Sequence, residues 1–131
     1  MRNKLRVVWF IAASACLLAA KPGIDVTGTW SGEVRGQDGG TGRVCFVLRQ
    51  EKDRISGTAG PCDKKSPGHV YDGKLEGSHL IFAADDNDDD TGLTLTYSFD
   101  LTVADDQMQG RAHGHSGGRS WTLDISMTRE K

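Results

Sequence analysis

Apolar and polar positions alternate with period two along most of this chain. From 26 to 35, Val26, Gly28, Trp30, Gly32 and Val34 fall on one face, and Thr27, Thr29, Ser31, Glu33 and Arg35 on the other. Strict alternation marks a half-buried strand, because successive side chains leave a strand on opposite sides. The pattern predicts a second strand over 41–50, with Val44, Phe46 and Leu48 sharing a face, and a third over 54–60 with Ile55, Gly57 and Ala59. A fourth over 69–75 is weaker, since Asp72-Gly73 interrupts it, and a fifth follows over 78–84. The clearest is the sixth, 93–103, where Leu93, Leu95, Tyr97, Phe99, Leu101 and Val103 alternate with polar residues. A seventh over 107–113 carries Met108, Gly110 and Ala112, and an eighth aligns Trp121, Leu123, Ile125, Met127 and Arg129.

Short reversals separate these runs: Gln37-Asp38-Gly39-Gly40, Glu51-Lys52-Asp53, Glu76-Gly77, Asp105-Asp106 and Ser116-Gly117-Gly118. They are rich in the residues that turns require. No segment after residue 23 has helical periodicity. Eight strands with one apolar face and short turns predict an all-β chain that either closes as an eight-stranded antiparallel up-and-down barrel or folds as a sandwich; the barrel is the expected outcome, since closure leaves no edge to pair with another molecule. The first and last strands would then lie side by side.

Composition sharpens this in three ways. Seventeen glycines and only three prolines among 131 residues suit strands and tight turns. The formal net charge of −2 argues against nucleic acid as a partner, which calls for a basic face. The N-terminus reads as a targeting segment: Arg2, Lys4 and Arg6 precede an apolar and small-residue run over 7–20, which Lys21-Pro22-Gly23 ends. This predicts a signal peptide over 1–20, cleaved after Ala15 or Ala20, and one barrel domain over 21–131 in a secreted or periplasmic protein. Ala13-Ser14-Ala15-Cys16 resembles a bacterial lipobox, and only lipidation at Cys16 would bring a membrane into play.

Loss of that segment leaves Cys45 and Cys62, which a secreted protein is expected to oxidise. If these cysteines face each other across the second hairpin, Leu48 faces Ala59 and Gln50 faces Gly57. The inward sets of the two strands then meet, with the bridge on the outer face.

Gly28-Thr29-Trp30 resembles the calycin signature, the Gly-x-Trp of lipocalins and the Gly-Thr-Trp of avidins. The resemblance implies an arginine or lysine from a late strand packed across the tryptophan at the closed end, and Arg129 is the residue in that place. It implies structural roles for Gly28, Trp30 and Arg129. Avidins carry Asn two residues after the tryptophan; Gly32 stands here, which argues against biotin. The chain is also similar to the bacterial metalloprotease-inhibitor barrels, which work through an N-terminal tail and have a disulfide after the Gly-x-Trp strand.

Other constellations are weaker. Asp86, Asp88 and Asp90 alternate ahead of Gly92, as in calcium loops, but the EF-hand spacing fails at Thr91 and Tyr97. A solvated hairpin loop is the plainer reading. His113 and His115 share one side of a strand and could share a metal with His69 or His79, but they fall opposite Met108, Gly110 and Ala112, on the outer face. There is no strained nucleophile turn and no inward acid–base pair, so no catalytic residue, cofactor or metal is assigned. The inward Trp30, Phe46, Tyr97, Phe99, Met108 and Trp121 stand among small residues, which points to non-catalytic binding of a small hydrophobic molecule within the barrel. The alternatives are a protein partner, as for a periplasmic protease inhibitor, or a structural envelope barrel with a filled core.

Overall fold

The computed structural model describes residues 23–88 and 90–131. The signal segment expected over 1–20, the lipobox-like stretch ending at Cys16, Lys21, Pro22 and Asp89 lie outside the described residues.

Eight strands form in the order β1 Gly28–Gly36, β2 Thr41–Glu51, β3 Arg54–Pro61, β4 Gly68–Glu76, β5 His79–Asn87, β6 Thr94–Ala104, β7 Gln107–Ser116 and β8 Arg119–Arg129. Each pairs antiparallel with its neighbour in sequence, and β1 pairs with β8, so the sheet closes into an up-and-down barrel. The turns at 52–53, 77–78 and 105–106 share one end with the entry into β1. The connections at 37–40, 62–67, 88–93 and 117–118 share the other.

Alternation makes one face of each strand apolar, and closure turns all of these faces inward. Trp30, Phe46, Leu80, Leu101, Met108, Met127, Val26 and Val103 are fully buried, and no polar or charged residue is buried among the described residues. Leu93 departs from the expected pattern. It is 52% exposed and precedes β6, because its carbonyl accepts the Asp88 N–H within the loop.

The cysteines pair as expected, with Cα atoms 4.9 Å apart, but the hairpin register differs from the expected one. Leu48 faces Gly57, Phe46 faces Ala59 and Gln50 faces Ile55. Glu51 pairs with Arg54 across a two-residue turn, Lys52-Asp53, in which Lys52 has a φ of 59°. That tight turn fixes the register, as hairpin loop length does generally. Cys62 lies just beyond β3 and reaches Cys45 from there, its N–H donating to the Arg43 carbonyl at 3.3 Å. The shift is two residues, so the inward faces still coincide. Gly57 is required here: its φ is 134°, and a Cβ would lie 1.9 Å from the Val47 carbonyl oxygen. The weak fourth strand contains a bulge, with Asp72 exposed at a φ of 53° and the register to β5 shifting between Tyr71 and Lys74.

The entry end is closed by side chains from three strands and the segment leading into β1. Trp30 faces Arg129 across the β1–β8 seam, and the guanidinium lies 4.4 Å from the centre of the indole ring. The guanidinium also donates to the Thr27 carbonyl at 2.7 Å, the Asp25 carbonyl at 2.8 Å and the Asp106 carboxylate at 2.8 Å. The Trp30 indole N–H donates to the Val26 carbonyl at 3.0 Å. From β2, the Gln50 amide accepts the Val26 N–H at 2.9 Å and donates to the Ile24 carbonyl at 3.2 Å. The Asp25 carboxyl is held below its ordinary pKa by the Thr27 N–H, then by the Thr27 hydroxyl, with Arg129 adding a smaller effect.

Candidate functional site

The opposite end is open. Between the connections there, an apolar cavity of about 100 Å³ enters the barrel. Val44, Ala84, Ala112, Leu123 and Ile125 form its walls, and Phe99 reaches it from mid-barrel. Small residues at Ala59, Ala84 and Ala112 leave the space, since larger side chains in the same inward series would occupy it. Below, Phe46, Phe82 and Phe99 fill the barrel's waist. The Phe82 and Phe99 rings stack with centres 4.6 Å apart, and Phe46 meets both edge-on at 5.2 and 5.3 Å. Such aromatic contacts add to the burial of the rings themselves.

Tyr97 and Trp121 stand at the mouth with ring centres 5.9 Å apart, edge to face. Trp121 lies flat over Gly114, where a Cβ would come within 2.5 Å of the indole, so only glycine admits the ring there. Burial pushes the Tyr97 hydroxyl above the ordinary tyrosine pKa; a hydrogen bond with Trp121 opposes this and the Asp86 charge adds to it. Tyr97 is therefore a neutral hydroxyl at neutral pH.

Of the six inward residues expected to meet a ligand, Tyr97 and Phe99 line the cavity. Phe46 packs beneath it against Phe99, and Trp121 braces Tyr97. Trp30 and Met108 are fully buried, Trp30 at the closed end. Alternation shows which side of the sheet a residue takes, but the depth along the barrel axis depends on register and strand stagger.

One polar feature of the mouth was not anticipated. Asp86 continues the inward series Leu80, Phe82, Ala84 along β5 and lines the cavity. Lys64, from the connection after the disulfide, places its ammonium on the Asp86 carboxylate and donates to the Asn87 carbonyl at 2.6 Å. Both side chains are largely covered, 21% exposed for Lys64 and 18% for Asp86. The neighbouring Asp85 takes the outer face, where the Tyr71 hydroxyl donates to it at 2.9 Å.

The three aspartates considered for calcium are thus used separately. Asp86 holds Lys64, while Asp88 accepts the Asp90 N–H at 2.9 Å and shapes the loop. Among the described residues, no group of three or more His, Cys, Asp or Glu is placed to hold a metal ion. The histidines are exposed and stay apart; His79 meets Asp100, and His113 meets the Thr122 hydroxyl at 3.1 Å.

Comparisons with protein-family models, with curated proteins and with solved structures give no match for this chain.

Proposed function

We propose that this chain is a secreted or periplasmic, non-catalytic barrel of calycin type that binds one small, compact hydrophobic molecule at its open end. The apolar cavity behind Tyr97 carries this reading. It lies at the end opposite the Trp30–Arg129 closure, as a ligand-holding barrel requires. The arginine stacked on the tryptophan of Gly28-Thr29-Trp30 supports calycin kinship. The disulfide supports export, since such bonds persist mainly in oxidising compartments. The lining offers apolar contact rather than a pair of acid–base groups, which favours binding over catalysis.

Volume limits the ligand. Drug-sized molecules use pockets of about 300–1,000 Å³, whereas dry apolar cavities of about 150 Å³ accept a benzene ring. A space of about 100 Å³ that opens at the mouth suits a single ring or a short branched chain. The same small volume favours, as a second reading, a structural barrel without a ligand. A protease-inhibiting tail is less well supported, because Ile24 packs on the core and Val26 is fully buried.

Titration with toluene separates the first two readings. Toluene is expected to raise the melting temperature, because a ligand that binds only the folded state stabilises it. Ala112→Leu, which fills the cavity from β7, is expected to abolish that rise. Ala84→Leu, filling it from β5, should do the same. An unchanged melt at saturating toluene would favour the structural barrel.

A further inference from the structure

Asp86 has an unusual place for a carboxylate. It follows three apolar residues on the inward face of β5 and sits where the cavity meets solvent. A carboxylate this far covered needs a cation beside it, because the charge has lost much of its water. Lys64 supplies one from the neighbouring connection, a compact ammonium on a flexible stem that also hydrates readily.

We propose that the ligand carries one ammonium group, with its apolar body in the cavity and its charge on Asp86 in place of the Lys64 ammonium. This inference rests on the binding function proposed above. The exchange keeps the carboxylate paired throughout. The incoming molecule forms the ion pair that Lys64 made and also buries its ring or chain against Ala84, Phe99 and Ala112. Lys64 turns outward into water. An anionic ligand would instead meet Asp86 at the rim and Asp88 and Asp90 on the adjoining connection; Arg43, the cation that also borders the cavity, is exposed and takes the outward parity of β2.

Three probes of one shape test this: toluene, benzylammonium and benzoate, titrated by calorimetry at neutral pH and low salt. In Lys64→Met, where no ammonium has to be displaced, benzylammonium is expected to bind at least about tenfold more tightly than toluene, a difference of the size expected for one partly covered charge-assisted contact; in the unaltered protein the gain is smaller, because the Lys64 pair is given up. Benzoate is expected to bind more weakly than toluene. Asp86→Asn should reduce benzylammonium to the level of toluene, with a cooperative melt of the unliganded variant showing that it is folded. Lys64→Met should strengthen benzylammonium by removing the competing ammonium. Equal affinity for toluene and benzylammonium in Lys64→Met would overturn the inference and leave the carrier function standing. So would tighter binding of benzoate that Lys64→Met abolishes. Failure of all three probes to bind would overturn the carrier function as well.

Discussion

Trp30→Ala is expected to lower the unfolding free energy by about 3–5 kcal/mol, the range for removing a large aromatic side chain from a core. Domains of this size are stable by about 5–15 kcal/mol, so the variant should be close to unfolding at physiological temperature. Trp30 is fully buried, donates to the Val26 carbonyl and supports the Arg129 guanidinium. Its loss leaves a void at the closed end and releases the contacts that hold the entry segment beneath the barrel. Arg129→Met keeps much of the packing and removes the charge. It is expected to cost less, with about 1 kcal/mol from the cation–ring contact and a further loss from the carbonyls of Asp25 and Thr27. Denaturant titration of both variants checks the order. A Trp30→Ala cost below about 1 kcal/mol would mean that the closed end does not depend on this residue.

Reduction of the Cys45–Cys62 bridge is expected to destabilise the barrel by about 3 kcal/mol, from the chain entropy restored to the unfolded state by opening a loop of this length. The cysteines are 17 positions apart. For a domain of about 100 residues this corresponds to a fall in melting temperature on the order of 10 °C. The β2–β3 hairpin has its own tight turn and full register, so the strands are expected to survive reduction at moderate temperature. The connection over 62–67 should loosen first, because the bridge anchors the end from which Lys64 crosses to Asp86. A scan of the oxidised and the verified reduced protein tests this; identical melts would remove the bridge from the stability of the fold.

The strands were legible because alternation was clean and the reversals carried glycine and aspartate. The register of the second hairpin was less so. The cysteines were aligned as cross-strand partners, but the turn at Lys52-Asp53 sets the pairing and leaves Cys62 beyond the strand. Two residues of slip kept the parity, so the core survived the misalignment. Leu93 continues the alternation of β6 in sequence, yet its carbonyl accepts the Asp88 N–H within the loop and its side chain is exposed. The pairing of Trp30 with Arg129 was readable, since a closed barrel must bring its first and last strands together. The carbonyl contacts of that arginine were not, because they depend on how the entry segment folds back. Lys64, on the connection after β3, and Asp86, on β5, lie 22 positions apart, and no local pattern links them. Within the acidic run, Asp86 differs from its neighbours in sharing the parity of Phe82 and Ala84, which a reading of the run as a block of charge does not show.

Native mass spectrometry of the protein purified from its own cells tests the binding function most directly. A discrete added mass, the size of a single ring or short branched chain and absent from Ala112→Leu, is expected. A bare polypeptide mass in both proteins, under conditions that preserve the fold, would contradict a ligand-carrying barrel.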